Sequence, residues 1–463
     1  MVQSEQFDLV VLGSGPAATG VATSARDQGR SVALIDCREI GGTCALRGCN
    51  PKKVYTNAAN LLARVEGSYG QLSRFRSDQH QWSDLLSFKQ QFTEPVRQGK
   101  AVSLQEKGIT VLRGTAYFVD ERTIGVACDR LGDEKGHRLL NAERVLIATG
   151  SEPRDLQMPG AEHVMTSDEF LECEDLPRRV VFIGGGYISM EFAHAAVRYG
   201  RSVTILERNE RVLEQFDPDL VHQLMEYSCG CGCMIQTDCN VCSVQQEEDG
   251  TFTVTYETAD GSERVAADVV VHGAGRVPNI GRLRLDCGQV AYSERGVEVN
   301  QYLQSTSNSR VFAAGDCADT GRPALTPVAN AEADAVVENL FATSLRATAD
   351  VEAIATVAFT APPIARVGLS EQQVRETIGD VIINHHDTSA WGSIRKMGGG
   401  CGGYKVLIDP LTRTVAGAHL LGPRADEQVN LFTLAVRHRL TVEQLMSTRF
   451  AFPTHGHDLR RML

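Results

Sequence analysis

Two copies of a strand–turn–helix pattern constrain the fold of this chain more than any other feature. In the first copy, an apolar run over residues 7–12 leads into Gly13-x-Gly15-x-x-Ala18 and a helical stretch, and Asp36 closes the next apolar run. Glycines at these positions let the backbone approach a pyrophosphate, the helix N-terminus supplies N–H donors, and the carboxylate suits a ribose hydroxyl. The pattern predicts a dinucleotide-binding βαβ unit at the start of the chain.

The second copy begins with the apolar run at residue 180 and continues as Gly184-x-Gly186-x-x-Ser189. Serine at the third position still allows a close contact between helix and strand. Glu207 ends the following strand, where a carboxylate binds both hydroxyls of an unphosphorylated ribose and repels a 2′-phosphate. That favours NADH. Two basic residues that could reach a phosphate follow directly and leave NADPH open, namely Arg208 and Arg211.

Short apolar runs that stop at or near a turn residue recur along the chain. They lie at residues 144–150, 180–184, 202–207, 269–275 and 311–316. Continuous apolar runs of this length are typical of parallel strands that are covered on both faces. We therefore expect an α/β chain with two doubly wound dinucleotide-binding domains.

The segments between the two nucleotide units carry other patterns. Residues 54–62 and 82–107 place apolar side chains at helical spacing between charges, which predicts helices. Residues 111–143 alternate as an antiparallel meander does. Downstream of residue 359 the pattern changes to alternating strands, a loop over 398–403 and a helix over 426–439.

Composition narrows the class of protein. The chain has 463 residues, which suggests about three to four domains, and a net charge of -12 that argues against nucleic acid or an anionic membrane as partner. The residues before the first strand have no basic flank and no long apolar run, so we expect no secretion signal. Nowhere do about 18 consecutive apolar residues occur, the length of a membrane span. The 13 cysteines then fit a reducing compartment. We expect a cytoplasmic protein.

Cys44 and Cys49 lie in a block that runs from Gly41 to Lys53, with glycines before them and a proline and two lysines after them. The Cys-x4-Cys spacing alone is compatible with half a metal site or with two buried thiols. The block follows directly after a dinucleotide unit, however. That order favours a redox-active disulfide that exchanges electrons with a bound flavin.

This block resembles the active-site signature of the flavoprotein disulfide reductases, the family of glutathione reductase, dihydrolipoamide dehydrogenase and mercuric reductase. The resemblance implies FAD and NADH or NADPH as cofactors and a homodimer formed through a C-terminal α+β domain. It also implies that Cys44 is the outer thiol that attacks substrate, that Cys49 is in charge-transfer contact with the flavin, and that Lys52 lies near the flavin.

Further residues match the family in the same way. By resemblance, Tyr187 is the gate on the nicotinamide side of the flavin and Glu191 pairs with Lys52, although a core tyrosine and a solvated helical glutamate are the plain alternatives. Asp316 resembles the residue that binds the ribityl chain, but it is also a typical turn aspartate. A helix that starts near Thr326 would direct its positive N-terminus at the flavin.

The resemblance also implies a set of cofactor-binding residues and a domain order. The cofactor-binding residues are Gly13, Gly15, Ala18, Asp36, Gly42, Thr43, Thr149, Gly150, Gly184, Gly186, Glu207, Gly275, Arg276, Gly315, Asp316, Thr326 and Pro327. The predicted domains are the first part of the FAD domain at 1–150, the NAD(P)H domain at 151–275, the central FAD part at 276–345 and the dimerisation domain at 346–463.

The C-terminal segment departs from the family pattern. Most relatives have a histidine and, five residues later, a glutamate that together protonate the leaving thiol; Phe452 and His457 occupy those positions here. The Phe-x4-His pair resembles that of 2-oxopropyl-coenzyme M reductase/carboxylase, a family member that cleaves a carbon–sulfur bond. Either His455 or His457 replaces the missing acid, or the reaction needs no proton there. Arg47 would suit an anionic substrate, or is an exposed loop residue.

Two alternatives for function follow from these departures. One is a carbon–sulfur bond-cleaving reductase/carboxylase, and the other is a mercuric-reductase-like metal-ion reductase, although the chain ends Arg-Arg-Met-Leu without a cysteine pair. Separately, five cysteines lie between Cys229 and Cys242. They suit a soft metal ion or an accessory thiol relay, or simply a helix end that leads into an edge strand. We predict no metal-binding residue in this chain.

Overall fold

The structure is a computed structural model, and it describes residues 4–68, 80–127 and 137–463. The helices of these ranges are α1 (Pro16–Asp27), α2 (Gly42–Leu46), α3 (Cys49–Gly67), α4 (Trp82–Glu106), α5 (Ser167–Phe170), α6 (Tyr187–Arg198), α7 (Pro218–Gly230), α8 (Thr326–Asn339), α9 (Glu371–Thr377), α10 (Gly392–Arg395), α11 (Ala425–Arg437), α12 (Val442–Ser447) and α13 (His455–Met462). None of them is both long and apolar enough to cross a bilayer.

The strands of the described ranges fall into several sheets. They are β1 (Glu5–Leu12), β2 (Val32–Asp36), β3 (Thr110–Arg113), β4 (Thr115–Phe118), β5 (Thr123–Ala127), β6 (His137–Ile147), β7 (Ser151–Pro153), β8 (Arg179–Ile183), β9 (Ser202–Leu206), β10 (Cys233–Gln236), β11 (Asn240–Gln246), β12 (Phe252–Thr258), β13 (Gly261–Ala267), β14 (Val269–His272), β15 (Arg276–Pro278), β16 (Tyr292–Ser293), β17 (Gly296–Glu298), β18 (Val311–Ala313), β19 (Ala318–Asp319), β20 (Thr356–Ala358), β21 (Ile364–Gly368), β22 (Ile382–Asp387), β23 (Gly403–Ile408) and β24 (Val415–Leu421).

The chain folds as two compact units, each built from several stretches of sequence. The first unit comprises residues 1–51, 90–154 and 276–351. The second comprises residues 52–89, 155–275 and 352–463. The domain boundaries that we predicted at 150, 275 and 345 stay predictions.

The first unit contains a sheet with the strand order β3-β2-β1-β6-β5-β4, in which β18 also pairs with β6. Strands β1, β2, β3, β6 and β18 are parallel neighbours, and β4, β5 and β6 pair antiparallel. Alternate residues of β1 enter two different cores: Leu9 and Val11 pack on one face, and Val10 and Leu12 on the other. The predicted parallel, doubly covered sheet is therefore present.

One boundary of the predicted meander is wrong. Residues 110–113 form β3, which pairs in parallel with β2 and not with the antiparallel strands that follow. The reason is that α4 carries the chain back across the sheet, and such a crossover produces a parallel strand. The antiparallel part is confirmed from β4 onward, and its segment over 128–136 lies outside the described residues.

The second unit contains the sheet β10-β9-β8-β14, in which all neighbours are parallel. Residues of β8 also alternate between two cores, with Val180 and Phe182 on one face and Val181 and Ile183 on the other. Strands β11 to β13 form a separate antiparallel sheet. In the C-terminal part, β20 to β24 form an antiparallel sheet that buries one core cluster against α11, α12 and α13.

A buried histidine ties α6 to two other segments of the second unit. The hydroxyl of Ser228 donates to the Leu224 carbonyl at 2.6 Å, so it accepts from Nε2–H of His194 at 3.0 Å. Nδ1 of His194 lies 3.2 Å from both the amide nitrogen and the carbonyl oxygen of Ala361, and in the neutral ring it accepts from that N–H. Burial within this network holds the ring neutral and, together with the positive charge of Arg198, lowers the pKa of His194 from 6.5 to about 4.

The network predicts a pH dependence of stability. Because the folded-state pKa of His194 is depressed, its contribution is complete above pH 6.5 and is lost as the pH falls toward about 4. Between pH 7 and 5, urea titrations should show a fall of about 2 kcal/mol in apparent unfolding free energy that His194→Gln removes. His222→Gln is the matched control, because the His222 side chain is 75% exposed. The same pH slope in His194→Gln and wild type would contradict the assignment.

Candidate active site

The first glycine-rich loop leaves space for a phosphate. Gly13 has φ +107°, and a Cβ there would lie 2.2 Å from the Ala148 carbonyl oxygen, so only glycine fits. A Cβ on Gly15 would meet no atom within 4 Å. The backbone at Gly15 therefore faces open space at the N-terminus of α1, where a pyrophosphate would be bound. Ala18 is fully buried on the same helix.

Asp36 is held at the end of β2 by two donors. The Ser14 hydroxyl donates to Oδ2 at 2.5 Å, and the Arg38 N–H donates to Oδ1 at 2.9 Å. The Ser14 oxygen in turn accepts from the Gly41 N–H at 3.0 Å. A Cβ on Gly42 would lie 2.5 Å from the Gly15 Cα. The redox block thus packs directly on the phosphate loop, and the residues fit a dinucleotide such as FAD.

The two cysteines of the redox block contact the same hydroxyl group. Cys44 lies in α2 and is half-buried, whereas Cys49 is exposed and is the first residue of α3. The Thr326 hydroxyl donates to Cys44 Sγ at 3.3 Å and lies 3.9 Å from Cys49 Sγ. Both sulfur atoms therefore lie within 4 Å of one hydroxyl oxygen in the first unit. Thr43, also predicted as a site residue, is the exposed neighbour of Cys44.

Two helix N-termini lie at these sulfur atoms. Thr326 is the first residue of α8, and the Leu325 N-cap supplies no side-chain hydrogen bond to the free N–H groups. Cys49 itself begins α3. Both helix ends carry partial positive charge, which favours a negative charge on sulfur. The start of α8 near Thr326 is confirmed, and Pro327 is its exposed second residue.

A buried carboxylate in the second unit binds both lysines that follow Cys49. Lys52 Nζ lies 3.2 Å from Oε2 of Glu191, as predicted. Lys53 Nζ donates to the two carboxylate oxygens at 3.1 and 2.9 Å, and the Phe359 N–H donates to Oε1 at 2.9 Å. Burial raises the pKa of Glu191, but the two lysines and this N–H outweigh it and hold the pKa below its usual value.

Lys52 also connects this carboxylate to Tyr187. Its Nζ lies 4.4 Å from the centroid of the Tyr187 ring, a cation–π distance. Tyr187 is the first residue of α6, and its side chain is 45% exposed. The tyrosine is thus available at the second nucleotide loop and is not a core residue, while Glu191 is fully buried and is not solvated.

The second glycine-rich loop repeats the geometry of the first. Gly184 has φ +93°, and a Cβ there would lie 2.5 Å from the Gly273 carbonyl oxygen. The nearest atom to a Cβ on Gly186 would be 3.8 Å away, which again leaves room for a phosphate. The predicted close contact at Ser189 is confirmed, because a Cβ on Gly273 would collide with its Oγ.

Glu207 is buried and oriented by two backbone donors. The Gly185 N–H donates to Oε2 at 2.5 Å and the Asn209 N–H to Oε1 at 2.9 Å. Of the two arginines that follow, Arg211 contacts the Glu210 carboxylate at 3.1 Å, while Arg208 is exposed. The Glu207 carboxylate is thus fixed directly after β9, as the Asp36 carboxylate is fixed at the end of β2.

Three of the other predicted cofactor residues take part in hydrogen bonds with Ser151 or Glu332. Arg276 donates to the Ser151 hydroxyl at 3.0 Å, and that hydroxyl donates to Oδ2 of Asp316 at 2.9 Å. The Gly315 N–H donates to buried Glu332 at 2.7 Å. Ser151 and Glu332 were not predicted. Three remaining residues lie in the segments between β6 and β7 and between β14 and β15, namely Thr149, Gly150 with φ +69° and Gly275 with φ +100°.

The C-terminal segment presents a phenyl ring and an imidazole together. Phe452 is 78% exposed and contacts the His457 ring edge-on, with centroids 5.0 Å apart at 75°. The Thr454 hydroxyl caps α13 by accepting from the His457 N–H at 3.2 Å. Burial lowers the pKa of His455. The phenyl ring cannot carry a proton, and the neutral form of His455 is favoured.

The cysteines between residues 229 and 242, all of which the structure describes, are not arranged as a metal site. Cys233 and Cys239 are buried, and burial raises their pKa values to about 12 and about 11. Cys242 donates to the Asn240 carbonyl at 3.3 Å. Across the described ranges, no group of three or more cysteine, histidine or acidic side chains is arranged to hold a metal ion. Cys233 begins β10, the predicted edge strand.

Comparisons with known proteins agree with this geometry. The sequence model of the pyridine nucleotide-disulphide oxidoreductases matches residues 7–333, and that of their dimerisation domain matches residues 354–463. Mercuric reductase of Staphylococcus aureus is 31% identical over 98% of this chain and 81% of its own length. Dihydrolipoyl dehydrogenase of Bacillus subtilis is 30% identical over 98% of this chain and 97% of its own.

A solved structure has the same fold over its whole length. It is the Cu(II) complex of the HOCl-induced flavoprotein disulfide reductase RclA from Escherichia coli. It superimposes with a TM-score of 0.87, covers 99% of both chains and is 24% identical in sequence. At this level of identity the similarity concerns the fold.

Proposed function

Because the chain belongs to the pyridine nucleotide-disulphide oxidoreductase family, whose members are FAD-dependent enzymes, we propose that it uses NADH and the Cys44/Cys49 pair to reduce a sulfur-containing small molecule. The observation that carries this proposal is the shared contact of both sulfur atoms with the Thr326 hydroxyl. Two thiols that both contact one hydroxyl, at the N-termini of two helices, suit a disulfide that opens and closes.

The residues present fit the two nucleotides. FAD would be held in the first unit by the open backbone at Gly15 and by Asp36 at the ribose. The other residues of this unit that would contact FAD are Gly13, Ala18, Gly42, Thr43, Thr149, Gly150, Gly315, Asp316, Thr326 and Pro327. When bound, FAD supplies the two-electron carrier between nicotinamide and dithiol. The nicotinamide nucleotide would be held by Gly184, Gly186, Glu207, Gly275 and Arg276, with Tyr187 as the gate.

The dithiol then performs exchange chemistry on the substrate. The Cys44 thiolate attacks one sulfur of a disulfide, the S–S bond breaks, and one thiolate leaves with the bonding electrons. Cys49 attacks the Cys44 sulfur of the mixed disulfide, which re-forms the internal S–S bond and releases the second thiolate. Lys52 lies one turn after Cys49 on α3, and its pairing with Glu191 at 3.2 Å fixes that positive charge in place.

The substrate class follows from the C-terminal segment. An alkyl thiolate must be protonated to leave rapidly, and the ring of Phe452 cannot supply the proton. Substrates whose leaving group is already a stable anion avoid this requirement. We therefore propose aromatic or otherwise activated sulfur compounds over glutathione or lipoamide.

Two other functions use the same dithiol. Phe452 and His457, in edge-on contact at 5.0 Å, would also suit a carbon–sulfur bond-cleaving reductase/carboxylase, in which an apolar ring protects a carbanion from protonation. The likeness to mercuric reductase suggests metal-ion reduction. The match to the dimerisation domain supports a homodimer, and the many cysteines support a cytoplasmic location.

Anaerobic reduction of the enzyme, followed by reoxidation with a panel of acceptors, distinguishes the three candidate functions. The enzyme reduced with NADH would be mixed with an aromatic disulfide, a ketone-bearing thioether, or Hg(II) in excess thiol. Fast reoxidation by the aromatic disulfide is expected. Fast reoxidation by the thioether with release of a ketone, or by Hg(II) alone, would replace the proposed substrate class.

The locked carboxylate of Glu207 predicts the choice of nucleotide. A 2′-phosphate beside a buried carboxylate is repelled, so kcat/KM for NADH should exceed that for NADPH by about tenfold or more. Glu207→Gln should reduce this ratio by about tenfold. The control is Glu214→Gln, an exposed neighbour. Steady-state rates with both nucleotides give the ratio, and a preference of the wild type for NADPH would refute the assignment.

A further inference from the structure

A second group of thiols lies in the other compact unit, at the C-terminal end of α7. Cys231 is the C-cap residue of this helix and is half-buried, and Cys229 is exposed two residues before it. Cys401 is buried, and burial raises the pKa of its thiol to about 12. None of these residues has a role in the exchange chemistry of Cys44 and Cys49.

Cys231 is distinguished by its contact with a buried guanidinium group. Arg198, which is 7% exposed, donates from Nη2 to Cys231 Sγ at 3.2 Å and to the Tyr227 hydroxyl at 3.4 Å. Its other terminal nitrogen binds the Glu66 carboxylate. Burial lowers the pKa of Arg198, but Cys231, Tyr227 and Glu66 outweigh it and raise the pKa, so the group stays charged.

Other half-buried cysteines make the opposite kind of contact. Cys242 donates its S–H to the Asn240 carbonyl at 3.3 Å, and Cys173 donates to the Asp175 carbonyl at 3.3 Å. An S–H that donates to a carbonyl is held as the thiol. The sulfur of Cys231 instead accepts from a charged donor, and such a contact is stronger with a thiolate than with a thiol.

We propose that Cys231 is a second nucleophilic thiol, which forms mixed disulfides with low-molecular-weight disulfides independently of Cys44 and Cys49. Its thiolate attacks one sulfur of the small disulfide, and a new S–S bond forms as the old one breaks. The departing thiolate keeps the bonding electrons and takes a proton from water. No net electrons enter or leave, so the reaction needs neither NADH nor FAD.

The test uses the wild-type holoenzyme without NADH. A limiting amount of dithiodipyridine is added, and the modified cysteines are quantified by peptide mass spectrometry over time. The rate of modification of Cys231 should exceed that of Cys242 by about tenfold or more, although both side chains are half-buried. Cys231 and Cys242 lie on one tryptic peptide, since no lysine or arginine occurs between Arg211 and Arg264, so fragment ions must assign the label to each cysteine. This readout stands even if Cys44 and Cys49 prove to have no redox role.

Two variants identify the cause of the reactivity. Arg198→Met should slow the modification of Cys231 by about tenfold. Arg201→Met is the matched control, since Arg201 lies three residues further along and contacts Asp175 at 3.8 Å; it should leave the rate unchanged. If Arg198→Met does not fold, the wild-type comparison decides alone. Equal rates for Cys231 and Cys242, or equal effects of the two variants, would overturn the proposal.

Discussion

Replacing Cys44 or Cys49 with serine should lower NADH-dependent reduction of an aromatic disulfide by about a thousandfold or more, because each variant lacks one sulfur of the exchange. The Cys44 variant cannot form the mixed disulfide with substrate. The Cys49 variant forms it but cannot resolve it. Steady-state oxidation of NADH with a small aromatic disulfide as acceptor measures both effects.

Two controls separate this loss from misfolding. Cys287→Ser replaces a cysteine that is exposed, as Cys49 is, and lies in the same compact unit, and it should retain the wild-type rate. Reduction of a quinone, which accepts electrons without thiol chemistry, should continue in both active-site variants. A Cys44→Ser enzyme that still reduced the aromatic disulfide at more than a tenth of the wild-type rate would exclude the dithiol as the carrier.

The double variant Phe452→His with His457→Glu should gain activity toward alkyl disulfides such as oxidised glutathione. A positioned acid contributes about a hundredfold to ten thousandfold in rate, and this pair restores the arrangement that the family uses to protonate the leaving thiol. The rise should appear in kcat with oxidised glutathione. With an aromatic disulfide the rate should change little, because its leaving thiolate needs no proton.

The matched control for this variant is Phe452→Leu, which removes the ring but introduces no acid. It should leave the reduction of oxidised glutathione slow. Brisk reduction of oxidised glutathione by the wild-type enzyme would contradict the role assigned to Phe452. It would indicate that His455 or His457 already acts as the acid.

The spacing of glycines in the sequence was sufficient to predict the conformation of the two nucleotide loops. Gly13 and Gly184 need a positive φ, and Gly15 and Gly186 face open space, which the spacing of glycines after an apolar strand predicts directly. The alternation of buried residues between two cores follows from the continuous apolar runs in the same way. The pairing of Lys52 with Glu191 required the resemblance to a known family, since 139 positions separate the two residues in the sequence.

Other contacts between distant segments could not be predicted from the sequence pattern. The second lysine on Glu191, the Ser151 hydroxyl between Arg276 and Asp316, and the guanidinium at Cys231 each depend on how separate elements pack. Lys53, for example, differs from any exposed helical lysine only through its partner 138 residues away. The parallel pairing of β3 was missed for a related reason, because four residues of alternating pattern do not reveal the direction of the neighbouring strand.

An anaerobic titration with NADH tests the central claim most directly. The wild-type enzyme should take up about four electrons per subunit, two in the flavin and two in the Cys44–Cys49 bond, since a disulfide is a two-electron couple. Uptake of only about two electrons per subunit by fully folded, flavin-loaded enzyme would show that the two sulfur atoms beside Thr326 do not form the redox centre.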